Sequence, residues 1–121
     1  MTEKSTPRIR YENSQPILRV ENMQASLRFY VLGFKNATWG DDNFTSVNRD
    51  AAGIYLCRGG QGHVGAWAWL GVDDVEPIYQ ELKARGVTIR MAPTNYPWAL
   101  EMHIEDPDGN VLRFGSEPKS P

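Results

Sequence analysis

Apolar and polar positions follow a two-residue period over residues 65–72, where Trp67 and Trp69 alternate with alanines. Successive side chains of a β-strand point to opposite faces, so both indoles are expected on one face of a strand. Apolar residues then recur at helical spacing behind Asp74, a good N-cap, and the pattern stops at Gly86. This segment therefore predicts a strand followed by an amphipathic helix.

The same order of elements, a strand followed by a helix, is predicted earlier in the chain. Residues 16–20 have the composition of a strand, Asn22 is a good N-cap, and Gly33 is expected to end the helix. The apolar stripe of this helix consists of Met23, Leu27, Tyr30 and Val31. The sequence thus predicts one strand–helix unit in two copies.

Each predicted unit is followed by three strand-like runs. They are residues 34–39, 43–48 and 53–58 in the first half, and 87–91, 98–105 and 111–115 in the second. Glycine-rich residues 59–62 are expected to link the halves. We predict an α+β fold in which two βαβββ modules, about 15–58 and 65–117, form curled mixed sheets around a cleft, with helices on the outer faces.

The chain is long enough for one domain with its own core. It has 121 residues, of which 40% are hydrophobic, and a half of this size would bury too little surface to be stable alone. We expect residues 15–121 to form a single domain and the polar residues 1–14 to form a flexible N-terminal arm.

Charge and hydropathy exclude several classes of partner. The formal net charge is -2 and no basic cluster is visible, which argues against a nucleic-acid partner. No apolar run approaches the roughly 20 residues needed to cross a bilayer, and the N-terminus lacks the apolar stretch of a signal peptide. A cytoplasmic protein without a membrane partner is expected. The single Cys57 lies in an apolar strand pattern and is interpreted as a small buried hydrophobic residue.

Several short motifs in order resemble one known superfamily. They are LRVEN at 18–22, SLRFY at 26–30, LGF at 32–34, LGVDD at 70–74, GV at 86–87 and DPDGNVLRF at 106–114. This pattern resembles the glyoxalase, bleomycin-resistance and extradiol-dioxygenase superfamily, also called the vicinal oxygen chelate fold. The ending at residues 105–115 is most similar to the bleomycin-resistance-like branch.

The resemblance also defines four positions at which metal-dependent members hold a divalent ion. These positions are occupied here by Gln15, Tyr55 (or its neighbour Leu56), Trp67 and Arg113. Tryptophan offers no free lone pair and arginine is a cation, whereas divalent metals need His, Cys or carboxylate donors. We therefore expect neither a metal nor another cofactor at the family position.

Strand alternation assigns a set of side chains to the predicted cleft. The candidate ligand-binding residues are Trp67, Trp69, Arg113, His103, Glu101, Gln15, Tyr55, Trp39 and Trp98. Such an aromatic cleft with a few polar groups suits a planar organic molecule. The competing interpretation is that these aromatics fill a core or a dimer interface.

Three functions stay open at this point. The first is a metal-free protein that sequesters a planar, antibiotic-like molecule, which by resemblance would be a homodimer with grooves built by both chains. The second is a lyase, isomerase or dioxygenase of the same superfamily, for which only the weak catalytic pair Glu101 and His103 is visible. The third is a dimeric interaction module whose cleft is packed shut.

Overall fold

The structure, a computed structural model, describes residues 7–120 of the chain. Over this range it contains two helices and eight strands. In chain order they are β1 (Ile17–Arg19), α1 (Met23–Tyr30), β2 (Lys35–Asn36), β3 (Phe44–Arg49), β4 (Ala52–Cys57), β5 (Trp67–Gly71), α2 (Val75–Ala84), β6 (Ile89–Asn95), β7 (Leu100–Glu105) and β8 (Val111–Ser116). Residues 1–6 of the predicted arm lie outside the described residues, and residues 7–14 form neither helix nor strand.

The strands form two four-stranded sheets with the same topology. Their orders are β1-β4-β3-β2 and β5-β8-β7-β6. In each sheet the first strand pairs parallel with the last strand of its module, and the remaining pairs are antiparallel. This arrangement confirms the predicted α+β class with two βαβββ modules and curled mixed sheets.

Both helices begin at the predicted caps. The Asn22 side chain accepts a hydrogen bond from the backbone N–H of Ala25, at 3.0 Å, and Asp74 accepts one from Glu76, also at 3.0 Å. These contacts satisfy amide donors that the first turn of a helix leaves unpaired. Gly86 follows α2 with a φ of 85°, as expected for a residue after the helix end.

Gly33 has a different role from the predicted one. Helix α1 already ends at Tyr30, before Gly33 is reached. A Cβ added at Gly33 would lie 2.9 Å from Cδ2 of Leu82 on α2. The glycine therefore permits a close approach between the end of α1 and the second module.

Two predicted strands differ in extent from the observed ones. The strand predicted over residues 34–39 is reduced to the two residues of β2, and the one predicted over 87–91 is observed as β6, Ile89–Asn95. Strand β6 has irregular register against β7 on both sides of Met91 and contains Pro93. An edge strand tolerates both features, because one side of its backbone needs no ladder partner.

The core is built from the helix-facing residues of both sheets. Leu18, Val20, Leu70, Leu112 and Phe114 are buried, as the alternation predicted, and Val72 packs against them while partly exposed. Side chains from both modules join in one apolar cluster. The modules are therefore held together by a shared core on their helix sides.

A polar clasp reinforces this contact between modules. The turn between β7 and β8 is fixed by Asp106, whose carboxylate accepts from the amide of Asn110 at 2.9 Å. The buried Tyr30 hydroxyl of the first module donates to the same carboxylate at 2.8 Å. The Asn110 side chain donates to the backbone carbonyl of Arg19 at 2.9 Å. A segment that the sequence marks as a turn thus also anchors α1 and β1.

Candidate functional site

Strand β5 presents two indoles to solvent. Trp67 and Trp69 are 53% and 54% exposed, whereas Ala68 and Leu70 between and after them are buried in the core. This is the division of faces that the alternation predicted. Neither indole is needed to fill the core of a single chain. The interpretation of these tryptophans as core residues therefore does not hold for a single chain.

A buried carboxylate lies at the centre of the same sheet face. The Glu101 side chain, 3% exposed, accepts two hydrogen bonds from the Arg113 guanidinium at 2.8 and 2.7 Å. Trp98 donates its indole N–H to this carboxylate at 2.7 Å, and His103 Nε2 lies 3.4 Å from it. The structure thus brings four of the predicted site residues into one network.

These contacts fix the charge state of the network. The hydrogen bonds from Arg113 dominate, and with those from Trp98 and His103 they outweigh burial and lower the pKa of Glu101 to about 2. The same pairing raises the pKa of Arg113. Glu101 is therefore an anion at neutral pH, and such a weakly basic carboxylate is a poor acceptor for a catalytic proton transfer.

Each strand tryptophan is paired with an arginine. The guanidinium carbon of Arg113 lies 5.1 Å from the ring centroid of Trp69, and that of Arg90 lies 5.1 Å from the centroid of Trp67. Both distances suit a cation–π contact. Arg90 is held in turn by Glu105 at 3.0 Å. The two exposed indoles therefore each carry a guanidinium whose charge is matched by a glutamate.

Further rings extend this surface. The His103 ring meets Trp67 edge-on, with centroids 5.2 Å apart. Tyr96 stacks on Trp98, with centroids 4.8 Å apart and planes only 8° from parallel. Sequence reasoning missed Tyr96 and Arg90 because both belong to the irregular β6 region, where no regular period assigns a face.

The first sheet carries a second aromatic group. Trp39, which is 49% exposed, stacks with Phe44, and both rings contact Tyr55. Gln15 lies against Gly53 of β4, and its Oε1 is buried without a hydrogen-bond partner among the described residues. The nine predicted site residues are therefore divided between the two sheets, three on the first and six on the second.

The residues at the superfamily's metal positions do not fit a divalent ion. Trp67 offers no lone pair, and Arg113 places a cation where a carboxylate ligand would be required. The nearest carboxylate, Glu101, is already bound by that guanidinium. Among residues 7–120, no three His, Cys, Asp or Glu side chains are grouped so that they could hold a metal.

Two cavities lie along the seam between the modules. Their volumes are about 480 and 660 Å³, and both are bordered by Gly33, Phe34, Arg49 and Asp50. Neither contains any of the nine predicted site residues. All four tryptophans are about half-exposed or more in the single chain.

The family of the chain is established by comparison with known proteins. The sequence model of one protein family, the Glyoxalase/Bleomycin resistance protein/Dioxygenase superfamily, matches residues 13–114 of the chain. The chain therefore belongs to this superfamily, which confirms the resemblance.

Several solved structures of antibiotic-binding proteins are similar in fold to this chain. A bleomycin-binding protein from bleomycin-producing Streptomyces verticillus, complexed with copper(II)-bleomycin, is 24% identical with a TM-score of 0.76, covering 93% of this chain and 100% of that one. An antibiotic-binding protein from a Streptomyces species is 22% identical with a TM-score of 0.75, over 93% and 100%. A bleomycin resistance determinant encoded on the transposon Tn5 is 22% identical with a TM-score of 0.74, over 88% and 98%.

These identities support a shared fold. No curated protein matches the chain. No described helix is both long and apolar enough to cross a membrane. Cys57 is buried, as expected from its place in β4.

Proposed function

We propose that this protein binds a small planar organic molecule, of the kind found among antibiotics, in an aromatic groove and without a metal. The observation that carries the proposal is the exposure of all four tryptophans on ordered structure. Trp98 is 63% exposed, and the other three are each about half-exposed. Large aromatic side chains held at a surface mark sites of ligand or partner contact.

The chemistry of the second sheet supports binding over catalysis. Its central carboxylate is neutralised by Arg113 and saturated with hydrogen bonds. A strongly depressed pKa makes Glu101 a poor general base for His103 to assist. A lyase, isomerase or dioxygenase activity would need a metal or a proton acceptor that these residues are poorly suited to supply.

A complete groove would require a second copy of the chain. The two aromatic groups lie on the open faces of separate sheets, and an open face buries little of a drug-sized ligand, whereas typical sites enclose most of it. We infer a homodimer, acting in the cytoplasm, in which aromatic faces of two chains enclose the ligand. Residues 15–121 would act in it as one domain.

The proposal is tested by titrating the protein with metal-free bleomycin while following tryptophan fluorescence. The tryptophan fluorescence of the wild-type protein should be quenched at micromolar concentrations of bleomycin. Trp67→Ala should bind about tenfold more weakly, because a stacked ring contributes on the order of 1 kcal/mol beyond area burial. The matched control is Val31→Ala, which truncates an exposed apolar side chain beside α1.

Two results would contradict the proposal for this class of ligand. One is an absence of quenching in the wild type up to high micromolar bleomycin. The other is an equal affinity in wild type and Trp67→Ala. A stoichiometric divalent metal in protein purified without chelators, measured by elemental analysis, would instead favour the enzyme alternative.

A further inference from the structure

Two glycines face each other on the second sheet beside Trp69. Gly71 of β5 and Gly115 of β8 are Cα partners in the parallel ladder. Neither has a positive φ, so the backbone does not require glycine at either position. Glycine within a strand destabilises it through conformational entropy and lost packing. We therefore expect a neighbouring group to occupy the space that a side chain would fill.

Trp69 occupies that space at Gly115. A Cβ added at Gly115 would lie 1.9 Å from Cη2 of Trp69, 2.6 Å from Cζ2 and 2.7 Å from Cζ3. At Gly71 the nearest Trp69 atom, Nε1, would be 3.5 Å away, an ordinary contact. Only Gly115 therefore must be glycine for the indole to keep its position across the sheet.

The indole consequently has two different faces. One side rests against the backbone at Gly115, the Arg113 guanidinium lies 5.1 Å from the ring centroid, and the side chain as a whole stays 54% exposed. A ring fixed in this way is preorganised, since its rotamer need not be ordered when a ligand arrives. The Trp67 indole is contacted edge-on by the His103 ring.

The arginines decide which rings can stack there. Arg113 already lies over Trp69, and Arg90 over Trp67, each at 5.1 Å from the centroid. Each guanidinium is paired with its own glutamate and already takes the cation–π position of its indole. A cationic ring would have to displace that guanidinium to gain the same contact, whereas an uncharged planar ring would not. We propose that Gly115 is a positioning residue that lays Trp69 against the sheet as a stacking platform, and that this platform selects uncharged planar rings over cationic ones.

The positioning can be tested without any ligand. Gly115→Ala should displace the indole and increase acrylamide quenching of Trp69, measured as the difference from the same protein carrying Trp69→Phe. Gly71→Ala is the matched control, because it adds the same methyl group to the paired strand position where 3.5 Å of space is available. Equal quenching of Trp69 in wild type and Gly115→Ala would overturn the proposal.

The selectivity rests on the proposed function and is tested with two tricyclic probes of similar shape. Acridone is uncharged and proflavine is a cation at neutral pH. Wild type should bind acridone about tenfold more tightly than proflavine, and Gly115→Ala should lose about tenfold in acridone affinity, as expected for one stacked ring. Gly71→Ala should change it less than about twofold.

A double variant shows whether Gly115 acts through Trp69. In the Trp69→Ala background, adding Gly115→Ala should change neither acridone affinity nor thermal stability. If Gly115→Ala alone folds poorly, this double variant should recover the melting temperature of Trp69→Ala. Additive effects of the two substitutions would refute the positioning role.

The outcomes separate the two proposals. Suppose that the wild type binds bleomycin. If Gly115→Ala then keeps full acridone affinity, or if the wild type binds proflavine as tightly as acridone, this inference is overturned and the proposed function stands. Wild type that binds neither bleomycin nor acridone overturns the proposed function and the stacking selectivity, and the acrylamide quenching alone then decides whether Gly115 positions Trp69.

Discussion

At the scale of single residues, Glu101 illustrates how a buried charge is made tolerable. Its two oxygens receive bidentate hydrogen bonds from Arg113 and a third from Trp98. Removing charge from one partner of such a pair leaves the other uncompensated, which costs more than the net contribution of the intact pair. Glu101 therefore links the orientation of Trp98 and Arg113 to the stability of the second module.

Glu101→Gln should lower the free energy of unfolding at pH 7 by about 2 kcal/mol, the scale of hydrogen bonds to a charged group. The folded-state pKa of Glu101 is about 2, below its ordinary value. A depressed carboxyl pKa gives stability that is present above the unfolded pKa and lost as pH falls through the folded pKa. The wild type should therefore lose stability between about pH 4.5 and pH 2, and the variant should lose less, as measured by urea unfolding.

Glu105→Gln is the control for this experiment. The Arg90–Glu105 pair on the same sheet is largely exposed, and such pairs contribute less than about 1 kcal/mol. A similar loss of stability in both variants at pH 7 would show that the buried network around Glu101 has no special role.

Residue facing was predictable where strands are regular. Alternation along β5 placed Trp67 and Trp69 on the open face, and alternation along β7 placed Glu101 beside His103. It could not reveal that Arg113 neutralises Glu101, because the register between β7 and β8 depends on the turn that joins them. The partners of an individual side chain therefore required the structure.

At the scale of elements, the turn of residues 106–110 has more than one role. It reverses the chain between β7 and β8 and also receives the Tyr30 hydroxyl from α1. Burial, with the nearby Asp106 carboxylate, raises the pKa of Tyr30, so the hydroxyl stays protonated and donates. The clasp is thus a neutral donor bound to a charged acceptor.

Tyr30→Phe should destabilise the fold by about 2 kcal/mol, because a buried carboxylate loses a hydrogen-bond donor while the ring packing is kept. Thermal unfolding followed by circular dichroism provides the measurement. Tyr79→Phe on α2 is a suitable control, since this side chain is only partly buried and packs at the margin of the core. Equal melting temperatures for Tyr30→Phe and wild type would exclude a stabilising clasp.

Element type followed from periodicity more reliably than element length. Both helices and their caps were predicted because apolar spacing and cap chemistry agree locally. The extents of β2 and β6 were not predicted. For β6, the irregular register depends on its pairing with β7, which the sequence does not show. Edge strands have only one partner to regularise them, which explains why the errors fall there.

At the scale of the whole molecule, duplication gives each chain two open aromatic faces. The modules join through a core on their helix sides, so the faces with Trp39 and Trp69 remain uncovered in a single chain. An exposed apolar surface of this kind favours association. The repeated topology was readable from sequence, but whether the faces enclose a cleft within one chain was not, because periodicity carries no information on how modules pack.

We predict that the protein is a dimer at micromolar concentrations and that ligand stabilises the dimer. A ligand held between two chains binds the dimer more tightly than the monomer, so by mass action it must lower the dimer dissociation constant. Sedimentation equilibrium with and without saturating bleomycin should show this shift in wild type. The shift should shrink in Trp67→Ala and persist in Val31→Ala, which changes an exposed residue at the end of α1. A protein that stays monomeric at 100-fold higher concentration would contradict the predicted dimer. A bleomycin-bound monomer would show that one chain holds the ligand on an open face.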